Sequence, residues 1–195
     1  CEAQLKRLQA EGWQFLTLAQ LQQHLTTGSE IPLKSLVLTF DTSVQGFYGQ
    51  VYPLLQKLHL PSALFVSPLL SNKDTDTLKQ IDKEGLVTIG SYWEPIDQLA
   101  PAMAKGKKVL LQTLGHPILY CAYAPNETSP DAPATLARAV GYKLALACKE
   151  GLAQESPSIL SLNRYGSEHL QQALEEREDR LKTVPLAVVD VPARN

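Results

Sequence analysis

Four short runs constrain this chain most: residues 35–40 (SLVLTF), 62–66 (SALFV), 118–123 (ILYCAY) and 143–148 (KLALAC). Each has strand length and is apolar at nearly every position instead of at alternate ones. A strand of that kind has no face for water, so it belongs in a sheet covered on both sides. Residues 86–89 and 186–191 read as two further strands, making six.

Helical patterns fill the intervals. Leu5 and Leu8 lie on one side of residues 1–10. Thr17 with Gln20 three residues on is a capping-box pattern, and the helix it opens carries Leu18, Leu21 and Leu25 on one face until Gly28. Residues 47–59 hold Tyr48, Val51, Leu55 and Leu58 at helical spacing, and shorter helices are expected over 78–83 and 134–140. Residues 168–182 form a charged helix with Leu170, Leu174 and Leu181 inward; Glu176–Arg180 and Glu178–Lys182 are its outward pairs. Strand and helix in alternation mean a parallel sheet in the α/β class. An open doubly wound sheet and a closed barrel fit this pattern equally.

The 195 residues suit a single domain, with neither a repeat nor a linker. Eighteen basic residues against twenty acidic ones, a net charge of −2, give no reason to expect a nucleic-acid partner. No apolar run approaches the roughly eighteen residues of a membrane span. Cys1, Cys121 and Cys148 form neither a metal-ligand spacing nor an even disulfide framework. Cys121 and Cys148 read as small hydrophobes in strands. Cys1 fits a truncation point or the lipid-bearing first residue of a mature lipoprotein, the former being preferred.

In a parallel α/β fold the working site lies at the carboxyl ends of the strands. Asp41 directly follows the first run, where a carboxylate serves as base or ligand, or simply caps the next element. Residues 36–66, LVLTFDTSVQGFYGQVYPLLQKLHLPSALFV, resemble the first motif of the polysaccharide deacetylase family, the NodB-homology domain. More narrowly, they are similar to the branch acting on poly-N-acetylglucosamine. The resemblance extends to residues 2–25, to 137–151 and to Leu160-Ser161-Leu162-Asn163-Arg164, and covers about residues 1–166. The remaining residues, 167–195, read as a helix plus a closing strand of the same domain. The resemblance implies a distorted (β/α) barrel whose opening strand, with its Tyr-His pair, lies outside this chain.

It also implies a chemistry: amide hydrolysis assisted by a metal, usually zinc, held by one Asp and two His, with a second Asp as general base. Asp41 falls on the base position. The three ligand positions carry Thr42, Tyr92 and Ile96, the last two within Ile89-Gly90-Ser91-Tyr92-Trp93-Glu94-Pro95-Ile96. Neither phenol nor alkyl side chain replaces an imidazole nitrogen. The third motif has drifted to Ala122-Tyr123-Ala124-Pro125-Asn126. His24, His59, His116 and His169 all fall away from the expected site, while Glu94, Asp97 and Asp74 lie in strand-end loops without a ligand spacing.

The expectation is therefore a domain with Asp41 as a vestigial base and no metal. Trp93 and Tyr123 are candidates to stack on sugar rings, with Tyr92 and Phe47 adding aromatic content to the cleft. An apolar filling of a closed cleft is the alternative. Arg164 either anchors a ligand oxygen or makes a structural pair. The leading reading is a catalytically impaired deacetylase-like module that binds N-acetylated glycan or a protein complex at the cell envelope. An active hydrolase with a rebuilt site and a scaffold subunit are the two alternatives.

Overall fold

In the computed structural model, which describes residues 2–94, 99–124 and 132–183, five of the expected strands form one parallel sheet in the order β3-β4-β5-β6-β7. These are β3 (Leu38–Asp41), β4 (Ser62–Val66), β5 (Val87–Trp93), β6 (Tyr120–Tyr123) and β7 (Leu144–Leu146). A bridge from Leu146 to Leu162 continues the curl beyond β7. A separate parallel pair joins β1 (Gln14–Phe15) to β2 (Ser35–Leu36). The helices are α1 (Glu2–Ala10), α2 (Leu18–Thr27), α3 (Val44–Gln50), α4 (Tyr52–Leu58), α5 (Asn72–Glu84), α6 (Leu99–Leu114), α7 (Ala132–Val140) and α8 (Leu170–Thr183). This is a half-barrel of the expected (β/α) type. The closing strand expected over 186–191 lies outside the described residues.

Strand alternation sorts the side chains into two apolar clusters. On the outer face Leu64, Val66, Val87, Ile89, Cys121 and Ala145 pack against the surrounding helices. On the inner face Ala63, Phe65, Tyr120, Ala122, Leu144, Leu146 and Leu162 fill the curl. Leu18 and Leu21 of α2 join this inner cluster. The Tyr120 hydroxyl, at the start of β6, donates to Gln22 Oε1 at 3.0 Å, which places α2 across the amino end of the half-barrel. The expected capping box is present: Thr17 accepts from the Gln20 backbone and the Gln20 side chain accepts from the Thr17 N–H.

Register puts Asp41, Phe65, Gly90, Tyr120 and Leu144 in one row across the five strands. Gly90 is small for a reason. A Cβ there would stand 2.5 Å from the Phe65 ring and 2.9 Å from the Tyr120 carbonyl oxygen. The Phe65 ring, with no exposed surface, occupies the space that any larger residue would need.

Several expected elements are corrected. Residues 35–40 are not one strand: the run breaks at Val37, with β2 serving β1 and β3 serving β4. The helix over 47–59 is two helices meeting at Val51, because Pro53 lies in the first turn of α4 and lacks the N–H a continuous helix would use. The short helix at 78–83 runs from Asn72 to Glu84, opened by a Ser71–Asp74 capping box. The strand at 86–89 continues to Trp93. The longest helix, α6, was not expected at all.

Candidate functional site

The mouth of the half-barrel, at the carboxyl ends of the strands, gathers the inward side chains that follow the last apolar layer. On β3, Leu38 and Phe40 join the outer cluster, so Thr39 and Asp41 face inward. On β5, Trp93 packs outward and Tyr92 inward. Two residues beyond Leu146, the exposed residue Cys148 lies at the same mouth. Arg164, two residues beyond inward-facing Leu162, reaches across to β3.

Arg164 organises this site. Its Nη1 donates to Asp41 Oδ1 at 3.0 Å and its Nη2 to Asp41 Oδ2 at 2.5 Å. Nη1 also reaches Thr39 Oγ1 at 3.4 Å, Nη2 reaches Cys148 Sγ at 3.6 Å, and Nε donates to the Ala147 carbonyl at 2.9 Å. These contacts engage all five guanidinium N–H groups. The side chains of Arg164 and Asp41 are 18% and 21% exposed, so the pair is largely shielded from water. Burial opposes the charge on Arg164, but the hydrogen bonds and charge of Asp41 outweigh it and hold the guanidinium above its ordinary range. The Cys148 thiol donates to the Tyr123 carbonyl at 3.2 Å. Burial, then the charge of Asp41, pushes the Tyr92 hydroxyl above its usual range.

Asp41, Tyr92 and Arg164 are thus brought together; other candidates are not. Trp93 and Tyr123 are each 6% exposed and sit in the outer cluster beneath the helices. Trp93 packs against Gly106, and the Tyr123 hydroxyl donates to the Pro133 carbonyl at 3.0 Å. Neither ring offers a face to a sugar. The physical reason is the strand period: a strand with Tyr92 and Ala122 inward turns Trp93 and Tyr123 outward. Phe47 is fully buried, edge-on to Phe40, and does not line the mouth. The anchoring role expected of Arg164 meets donors that are already engaged. Cys148 is no buried hydrophobe; it is exposed beside Arg164. Sequence reasoning missed it and Thr39, although counting by twos from Leu146 and from Asp41 leads to both.

The donors do not suit the metal that the resemblance implied. Thr42 is exposed beyond β3, Tyr92 presents a phenol, and Ile96 lies outside the described residues. The Arg164 guanidinium occupies both oxygens of Asp41. Among the described residues no group of three His, Cys, Asp or Glu could hold a metal ion. Asp74 caps α5 and bonds Gln45, Glu94 is exposed at the end of β5, and Asp97 lies outside the described residues. The described histidines serve elsewhere: His24 bonds the Ser29 carbonyl, His59 follows α4 in a left-handed conformation, His116 pairs with Asp82, and His169 pairs with Glu150.

Residues 28–145 match the family model for polysaccharide deacetylase. The poly-β-1,6-N-acetyl-D-glucosamine N-deacetylase of Escherichia coli (strain K12) is 32% identical over 100 residues, which are 48% of this chain and 14% of that relative's length. Two solved structures share the fold. The Streptococcus pyogenes deacetylase PplD, in complex with acetate, superposes with a TM-score of 0.73 at 23% identity, over 89% of this chain and 84% of its own. IcaB from Ammonifex degensii gives 0.75 at 19% identity, over 91% and 87%. The family model spans more than half of the sequence, and the half-barrel with Asp41 at its mouth is the fold it describes: the chain belongs to the polysaccharide deacetylase family.

Proposed function

We propose that this domain engages N-acetylated polysaccharide at the mouth of the half-barrel without hydrolysing it by the family's metal-assisted route. The observation that carries this reading is the company of Asp41. Its carboxylate is paired in both oxygens with Arg164, and the positions that resemble the ligands hold Thr42, Tyr92 and Ile96. Among the described residues nothing at the mouth is free to polarise an acetyl carbonyl or to stabilise the oxyanion that attack would create. Such stabilisation is worth several kcal/mol, hence orders of magnitude in rate.

What survives suits binding. Asp41, Thr39, Thr42 and the Tyr92 hydroxyl offer acceptors and donors for sugar hydroxyl and amide groups, and half-buried Tyr92 adds an aromatic ring. The polysaccharide is of the class named for the Escherichia coli relative, and the domain works at the cell envelope, where such a polymer is handled.

Two measurements test the reading. Incubation with N-acetylated β-1,6-glucosamine oligomers and added zinc releases no acetate, and amide NMR shifts on titration with the same oligomers cluster at Thr39, Asp41, Thr42 and Tyr92. Acetate release abolished by Asp41→Asn makes the domain an active hydrolase with a rebuilt site. Neither acetate nor shifts makes it a scaffold.

A further inference from the structure

Helix α8 is attached differently from the others. Helices α1 to α7 each bury at least one side chain in the core, from Leu5 and Leu8 of α1 to Ala137 of α7. Among the described side chains of α8 none is buried, and Leu170 and Leu174 are only half-buried. Arg177, three residues beyond Leu174, shares their face and is half-buried as well. Burial alone lowers its pKa, so docking this face also desolvates a charge. A cleft of about 250 Å³ stays open between α1 and α8, lined by Arg7, Glu11, Lys34, Gln171 and Glu175.

Polar pairs hold α8 in place of a core. Glu178 meets Lys34 Nζ at 3.1 Å, Arg180 pairs with Glu155, and Glu176 accepts from the Tyr165 hydroxyl. His169, in the turn that leads into α8, pairs with Glu150. Lys34 and Glu178 are each 41% exposed, and Arg180 and Glu155 57% and 36%, so water and salt screen them. A helix draws most of its stability in a protein from packing an apolar face. Without that packing α8 belongs among the elements that open while the rest of the fold stays intact.

What α8 touches gives that opening a consequence. Tyr165 directly follows Arg164, whose side chain holds both oxygens of Asp41. The Arg164 backbone N–H donates to the Lys149 carbonyl at 2.9 Å, and Glu150 takes His169. Residues 164–169 are therefore tied to residues 149–150 and, through Tyr165, to α8. The Arg164–Asp41 pair is itself shielded, at 18% and 21% exposure, so screening by salt reaches the α8 pairs first.

We propose that α8 is a salt-releasable strap that sets the grip of Arg164 on Asp41. Docked, it backs residues 164–169 and keeps the guanidinium on the carboxylate. Released, it loosens that segment and bares Asp41 at the mouth. The strap acts on the mouth whatever the mouth binds.

Amide hydrogen exchange and guanidinium NMR on the full chain test this. At about 0.05 M salt the α8 amides exchange about tenfold or more faster than those of α5, and about 0.5 M salt speeds them several-fold further while β4 and β5 do not change. Lys34→Glu sets a carboxylate against Glu178, Glu11 and Glu175. Checked for unchanged exchange in β4 and β5, it raises α8 exchange at low salt and removes the protection of the Arg164 Nε–H. Tyr165→Phe removes that protection too. Glu178→Lys in the Lys34→Glu chain restores both readouts. The proposal is overturned by α8 amides as slow as those of α5, by α8 exchange indifferent to salt, by an Arg164 Nε–H unchanged when α8 is released, or by failure of the charge swap to restore them.

Discussion

Arg164 holds both carboxylate oxygens of Asp41, at 3.0 and 2.5 Å, and so fastens the end of β3 to the segment beyond β7 across the open side of the sheet. The strand order begins at β3 and ends at β7, so no ladder hydrogen bond joins these two edges. A single side chain, anchored at Ala147 as well as at Asp41, spans the interval.

Removing one partner of a shielded pair leaves the other charge uncompensated. Arg164→Met therefore lowers unfolding free energy by about 2–4 kcal/mol, whereas Asp41→Asn combined with Arg164→Met loses less than the two single changes summed. Urea unfolding of the four proteins gives the coupling. A single Arg164→Met change that moves stability no more than an ordinary surface substitution rules out the fastening role.

Gly90→Ala forces a methyl group into the Phe65 ring and towards the Tyr120 carbonyl. Overpacking of this kind costs about 1–3 kcal/mol. Phe65→Leu in the same chain relieves the ring contact but not the backbone one, so it recovers only part of the loss. Thermal melts of the single and double variants decide, and full tolerance of Ala at position 90 means the row of inner side chains is looser than described.

The two described thiols differ in reactivity. Burial pushes the Cys121 thiol up to about 12, and the group has no exposed surface. Cys148 is exposed at the mouth. Iodoacetamide at mildly alkaline pH labels Cys148 and leaves Cys121 unmodified until the protein unfolds, as peptide mapping by mass spectrometry reads directly. Early labelling of Cys121 means that β6 opens in the native state.

His116 and Asp82 set a pH dependence at the amino end of the sheet. The Asp82 hydrogen bond raises the His116 pKa above its ordinary value of 6.5, against a smaller effect of burial. A raised folded-state pKa gives stability that is fully present below 6.5 and is lost as pH climbs through the higher folded value. The His116 side chain is 47% exposed, so the effect is small. Melting temperatures across the neutral range fall more in the parent protein than in His116→Ala. Parallel profiles for the two remove the pair as the cause.

The sheet was largely legible because doubly buried strands leave an unmistakable run, and β4 appears with the very bounds expected. The α2 cap was legible because Thr17 and Gln20 carry a local signal that tertiary context did not override. Helix α6 contains Pro101 and Gly106, the two residue types least favoured within helices, which weakens its signal in the sequence. Gly106 acts instead through closeness: a Cβ there would stand 2.4 Å from the Trp93 ring, so glycine lets α6 press onto β5. At the mouth, Asp41 and Tyr92 were found by position in a motif. The placing of Trp93 and Tyr123 at the cleft rests on their position at strand ends, and a period of two turns both away from inward-facing Tyr92 and Ala122. The Arg164 pair joins residues 123 positions apart, beyond any local pattern.

Helix α2 has a consequence for any polymer that meets this domain. With Leu18 and Leu21 packed under Phe65, Tyr120 and Leu144, α2 closes the amino end of the half-barrel. On the proposed reading a long chain would therefore lie across the rim at Asp41 and Tyr92 with its two ends free, and would leave by the way it came instead of threading through end-first.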